Sequence, residues 1–149
     1  MSWKDYQSGC QLGFGADMDL NALIQVGLEI EKEYEVIEDH SALHIGSGSQ
    51  RVLATPWMIT YMERTCRDLI AGVLPDGYAS VGVHVDVHHL APTPVGAMVW
   101  VLARVSLVEG LQVQLNVEAR DKFEPIGRGN HTRVVIDEAR FMKRVASKA

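Results

Sequence analysis

Three polar side chains, Thr55, Glu63 and His89, stand where proton transfer or attack on a carbonyl lies within their chemistry. Thr55 precedes Pro56 at the start of a segment with helical apolar spacing. A Thr there caps the helix or turns its hydroxyl toward a substrate. At about 100° per residue, Glu63 falls about 80° from Thr55, at the rim of a stripe formed by Met58, Ile59, Met62, Cys66, Leu69, Ile70 and Val73. A carboxylate at such a rim loses part of its hydration and becomes a better base. The competing arrangement is a pair with Arg67 one turn on. His89 ends an alternating run and shares a face with Val81, Val83, Val85 and Val87. It reads as a core histidine or as a proton carrier, since an imidazole pKa of about 6.5 suits both states near neutrality. The free N–H groups at the helix start would polarise a carbonyl or hold an oxyanion.

Other groupings point away from metal and nucleotide chemistry. His84, Asp86 and His88 share the opposite strand face, but neighbours on one face are about 6.6 Å apart, so three collinear side chains do not close on one ion. We therefore expect no metal. Gly82, inside a strand, marks a bulge or a close approach of backbone to ligand. Gly127-Arg128-Gly129 lacks the strand–turn–helix setting of a dinucleotide fingerprint and reads as a bend in the last strand. There is no Gly-x-Ser-x-Gly elbow, and neither Cys10 nor Cys66 lies in a setting that would activate it.

The elements that must position these residues follow from periodicity. Residues 1–20 are rich in Gly and small polar residues, with Trp3, Tyr6 and Phe14 among them, and read as an irregular arm. Residues 26–36 alternate as a half-buried strand, with Leu28, Ile30, Tyr34 and Val36 on one face and Lys32 interrupting it. Residues 39–52 read as a loop long enough to be functional. Thr55 as N-cap and Pro56 as first residue start the main helix, which ends at Pro75-Asp76-Gly77. Trp57 and Tyr61 lie off its apolar stripe and imply a second contact surface. Four strands follow: 81–89, 98–108, 111–119 and about 126–136, with Glu109-Gly110 as a two-residue hairpin loop. A basic helical tail closes the chain. The fold class is α+β, one long helix on a mostly antiparallel five-stranded sheet, whose edges invite pairing with another copy.

Composition bounds the partners. The chain has 149 residues, 47% hydrophobic and 22% charged, as expected for one ordered domain. A net charge of −5 argues against nucleic acid, which is held by clustered Lys and Arg. No apolar run reaches the length of a membrane span, the first residues do not resemble a signal peptide, and two cysteines make no disulfide framework. A cytoplasmic protein without membrane partners is the expectation.

Several motifs carry the reading further. Ala54-Thr55-Pro56 leading into Met62-Glu63-Arg64-Thr65-Cys66, then His89-Leu90-Ala91-Pro92-Thr93-Pro94-Val95-Gly96, then Gly127-Arg128-Gly129-Asn130-His131-Thr132-Arg133, resemble hotdog-fold thioesterases of the fluoroacetyl-CoA thioesterase-like group. The resemblance covers roughly residues 27–140. It implies a hotdog domain over 23–149 after an arm at 1–22, and an acyl-CoA thioesterase acting on a short or modest acyl group. It implies Thr55, Glu63 and His89 as catalytic residues, with Glu63 as nucleophile or general base, and Gly82 and Arg133 as substrate-binding residues. It also implies sites between subunits, as a homodimer or dimer of dimers. No cofactor is implied, because CoA is part of the substrate. Residues 42–49 have no aromatic residue where the resemblance implies a Phe-containing lid, which points away from fluoroacetyl selectivity. A non-catalytic acyl-CoA-binding hotdog module is the alternative, and a hotdog hydratase ranks behind both.

Overall fold

The computed structural model describes residues 18–149. Most of the expected arm, with Trp3, Tyr6, Cys10 and Phe14, lies outside the described residues. A short helix α1 (Leu20–Leu23) opens the described chain, capped by the Asp19 carboxylate accepting from Asn21 N–H. It spans the boundary drawn between residues 22 and 23, and Leu20 and Ile24 are buried in the core. Strand β1 (Glu29–Glu35) follows, then a 3-10 turn (Glu38–His40), helix α2 (Ala42–Ile45), and the long helix α3 (Thr55–Ala71). Four strands come next, β2 (Tyr78–His89), β3 (Met98–Glu109), β4 (Gln112–Arg120) and β5 (Pro125–Asp137), before the C-terminal helix α4 (Glu138–Ala146).

The five strands form one fully antiparallel sheet in the order β1-β3-β4-β5-β2, with β1 and β2 at its edges. Helix α3 packs on one face. Strict alternation in β4 sends Val113, Leu115, Val117 and Ala119 into that interface, opposite Val101, Ala103 and Val105 of β3. The helix contributes Met58, Met62, Cys66, Leu69 and Ile70. Tyr61 is fully buried rather than displayed. It stacks on Tyr34 of β1 at 4.5 Å between ring centroids, and its hydroxyl meets His40 Nδ1 at 2.5 Å and donates to the Glu35 carbonyl at 3.2 Å. The second contact surface of the helix is therefore its own chain. Lys32 occupies the inward face of β1 because its ammonium pairs with Asp68 of α3.

Local details depart from the sequence expectations for identifiable reasons. Residues 39–52 are a pinned flap rather than an open loop. Ala42 N–H donates to Val52 at 2.8 Å, Leu43 N–H to Gln50 at 3.0 Å and Leu53 N–H to Thr93 at 2.8 Å, while Gly46, at φ 78°, ends α2. The β3–β4 hairpin turns through Gly110-Leu111 instead of Glu109-Gly110, since Glu109 pairs with Gln112 and Gly110 takes φ 58°. Gly129 lies in regular register between β2 and β4, whereas Gly127 borders a register shift against β4, where Ala119 pairs with Gly127 and Arg120 with Pro125, so the irregularity expected in the last strand lies at its Gly127 end. A Cβ on either would collide, on Gly127 with the Met58 thioether and on Gly129 with the backbone of Asp86 and Val87.

Strand β2 carries the most consequential irregularity. Gly82 pairs with Arg133 and His84 with Thr132, so Val83 is an extra residue, a β-bulge. The bulge inverts the alternation. Ser80 and Gly82 face the helix with Val85, Val87 and His89, opposite Val135, Arg133, His131, Gly129 and Gly127. Val81 faces away, so the single face expected for Val81 through His89 is split. Among the described residues no helix is long and apolar enough to cross a membrane.

Candidate active site

The named side chains gather in two places on the inner face. At the first, the start of α3 meets the end of β2. Thr55 is not the N-cap; Ala54 is, in extended conformation and without a side-chain bond. Ala54 N–H is held by the His40 carbonyl at 2.9 Å, and its own carbonyl accepts from Trp57 and Met58 at 3.0 Å each. Thr55 is thereby the first helical residue. Its hydroxyl is spared from capping and lies 2.8 Å from His89 Nδ1. The other ring nitrogen, Nε2, is buried and makes no hydrogen bond among the described residues. Burial pushes the pKa of His89 down, against the Ala91 carbonyl, which favours the charged ring. The ring is therefore neutral at neutral pH.

The second place is the middle of α3 against the bulged end of β2. Glu63 keeps 41% of its side chain exposed and makes no pair with Arg67, whose guanidinium turns to Asp68. Oε1 of Glu63 lies so close to the β2 backbone that a Cβ on Gly82 would stand 2.6 Å from it. Only glycine permits this approach of helix carboxylate to strand. A pocket of about 300 Å³ opens here, lined by Glu63, Arg64, Arg67, Ser80, Gly82 and Arg133. Arg133 is buried: its Nε donates to Ser80 Oγ and its Nη2 to the Ser80 carbonyl, both at 2.8 Å. Its Nη1 meets Nε2 of His131 at 3.1 Å, and that nitrogen lies 3.8 Å from Glu63 Oε1. Burial lowers the pKa of Arg133, and Glu63 is the foremost charge restoring it.

The chain thus brings Glu63, Gly82 and Arg133 together, and separately Thr55 and His89. Eight residues at 1.5 Å per residue put Glu63 about 12 Å along the helix from Thr55. His131 is the residue that sequence reasoning missed as a site member. It stood only as part of a glycine-x-glycine-x-histidine pattern, and its inward face, opposite Leu115, and its hydrogen bonds emerge only in the folded sheet. Cys66 is buried beneath the site, and burial pushes its thiol up to about 12, which removes it as a nucleophile. His84, Asp86 and His88 are exposed along the sheet edge. Among the described residues no three His, Cys, Asp or Glu side chains are grouped to hold a metal.

Comparison with known proteins gives this geometry its context. Residues 36–139 match the family described as fluoroacetyl-CoA-specific thioesterase. The fluoroacetyl-CoA thioesterase of Streptantibioticus cattleyicolor is 38% identical over 97 residues, 65% of this chain and 70% of that protein. The solved structure of the fluoroacetyl-CoA thioesterase FlK superposes with a TM-score of 0.80 at 31% identity, covering 85% of this chain and 98% of the other. A hot-dog-like protein from Thermanaerovibrio acidaminovorans superposes at 0.82 with 30% identity, covering 88% and 97%. The helix wrapped by a five-stranded antiparallel sheet is the hotdog fold, and the chain belongs to the fluoroacetyl-CoA-specific thioesterase family, enzymes that hydrolyse thioesters.

Proposed function

We propose that this enzyme hydrolyses a short acyl-CoA, acetyl-CoA or a near relative, with the Glu63 carboxylate as the reacting group. The observation that carries this reading is the contact of Glu63 with Gly82, which leaves a carboxylate oxygen facing bare backbone in a pocket bounded by Arg133. A thioester carbonyl lying across Gly82 would present its carbon to Glu63. Its oxygen would meet the Arg133 guanidinium and strand N–H groups, which stabilise the negative charge that develops there. Glu63 then forms an acyl bond to the carbonyl carbon, or takes the proton of a water that does so. In either route the C–S bond breaks and CoA leaves as the thiolate; in the first, water then cleaves the acyl–Glu63 anhydride, releasing the carboxylic acid and restoring the Glu63 carboxylate. No cofactor enters, since CoA belongs to the substrate.

Thr55 and His89 join this chemistry through a second copy. Among the described residues β2 is an edge strand, with Gly82 in its first half and His89 as its last residue. Antiparallel pairing of two β2 strands about the Val85–Asp86 region brings the Gly82 end of one against the His89 end of the other. Each site of the homodimer then holds Glu63 from one copy and Thr55 and His89 from its partner. The flap leading into Thr55 offers Leu43 and Ile45 but no Phe, Tyr or Trp to close over an acyl group and select a fluorinated one. We therefore expect acetyl-CoA and fluoroacetyl-CoA to be turned over with kcat/KM values within about tenfold of each other, a difference of about 1.4 kcal/mol.

The test is thiol release across a panel of acyl-CoAs, with Glu63→Gln beside the wild type. Hydrolysis of short acyl-CoAs, reduced by orders of magnitude in the variant, supports the reading. Turnover that survives the substitution removes Glu63 from the chemistry, and binding of CoA esters without any turnover by the wild type replaces the enzyme reading with a sensor.

A further inference from the structure

His131 is fully buried on β5, yet both of its ring nitrogens are engaged. Nδ1 lies 2.8 Å from the His84 carbonyl, just past the Val83 bulge, and Nε2 lies 3.1 Å from Nη1 of Arg133. The partners dictate the tautomer. A carbonyl only accepts, so Nδ1 carries the proton; a guanidinium only donates, so Nε2 is the bare lone pair. Arg133 is then held from two sides, by Ser80 through Nε and Nη2 and by His131 through Nη1. These bonds use three of its five N–H donors. The others belong to a guanidinium whose position beside Glu63 is fixed.

We infer that His131 is a positioning residue of the hydrolytic site: as a neutral imidazole anchored to the bulge, it fixes the Arg133 guanidinium beside Glu63. This rests on the reading of Glu63 and Arg133 given above. Ser80 alone leaves Nη1 without an acceptor and allows the guanidinium to swing out of the pocket or collapse onto the Glu63 carboxylate. A donor displaced by about 1 Å loses on the order of a hundredfold in rate. The ring also keeps Glu63 uncommitted, because Nε2, 3.8 Å from Oε1, carries no proton to donate to the carboxylate. Burial lowers the pKa of His131, with the His84 carbonyl opposing, and so preserves that state at neutral pH.

A double-mutant cycle tests the inference. His131→Phe keeps the ring volume and removes both hydrogen bonds; Arg133→Ala removes the group being positioned. The expected result is a loss in kcat on the order of tenfold to a hundredfold for His131→Phe, with KM changed much less. In the Arg133→Ala background the same substitution should change kcat by less than about threefold. His131→Gln, whose amide oxygen can accept from Arg133, should recover part of the loss. If His131→Phe does not fold, His131→Leu, which likewise removes both hydrogen bonds, carries the same comparison against Arg133→Ala. Losses that multiply in the double variant, or a folded His131→Phe with wild-type kcat, overturn the positioning role. The Glu63→Gln control separates this from the parent reading: turnover retained there removes the site, whereas turnover lost there but retained in His131→Phe removes the role of His131 alone.

Discussion

A single methyl group separates Gly82 from Ala, and on Gly82 it would stand 2.6 Å from Oε1 of Glu63 and 3.0 Å from Cε1 of His131. The two neighbours respond differently. Glu63 is the free end of a flexible, partly exposed side chain and can swing away; His131 is buried and held at both nitrogens. Gly82→Ala is therefore expected to fold with a modest loss of stability, about 1–3 kcal/mol. Its kcat should fall on the order of tenfold or more because the carboxylate is displaced. Thermal melts and acyl-CoA hydrolysis measured together check this; wild-type kcat in a folded Gly82→Ala protein would refute the close-approach argument.

Mixing two inactive proteins should restore activity. In a shared site, Glu63→Gln and His89→Ala damage opposite halves, so a mixed dimer of the two keeps one intact site. Refolding the variants together at equal amounts is expected to give about a quarter of the wild-type activity per chain, from statistical pairing in a two-fold dimer. A site contained within one chain would give none.

Acidification should destabilise the fold through its histidines. Burial is the leading cause that lowers the pKa of His40, His89 and His131. In the unfolded chain each takes up a proton near pH 6.5, whereas the folded protein resists protonation until lower pH. Stability from these groups is fully present above about pH 6.5 and declines as pH falls below it. Melting temperatures recorded from pH 8 to pH 5 should drop across that window. His131→Phe should flatten the slope, and an unchanged slope would exclude His131 as a contributor.

Cys66 should be silent to alkylation. A buried thiol held near 12 has almost no thiolate at neutral pH. Iodoacetamide on the native enzyme is expected to leave activity intact and Cys66 unmodified, with labelling of Cys66 only in denaturant. Peptide mass analysis separates it from Cys10. Rapid native labelling of Cys66 would require local opening of α3.

Much of this architecture was legible in the residues. The apolar stripe of α3 and the alternation of β4 depend only on local periodicity, and both are borne out. The resemblance of the motifs to the hotdog thioesterases is likewise upheld by the family match. Tertiary context decided the rest. Tyr61 lies off the stripe, but β1 curls far enough around the helix to bury it against Tyr34. Thr55 resembled a cap, yet the backbone bonds at Ala54 begin the helix one residue earlier and free the hydroxyl for His89. A wheel that counts angles brought Thr55 and Glu63 near one face and said nothing of the 12 Å of helix rise between them. His131 escaped because its significance lies in two hydrogen bonds, each to a group that only the folded sheet brings near.

The Val83 bulge makes β2 a matter of parity. Strand residues alternate faces, so without one extra residue Gly82 and His89, seven positions apart, would point to opposite sides of the sheet. With it, both face the helix. Counting, rather than chemistry, is what this segment must conserve. Substitutions at the outward His84, Asp86 and His88 leave the count untouched, whereas loss of Val83, an ordinary valine with no role in the reaction, would turn one half-site inside out.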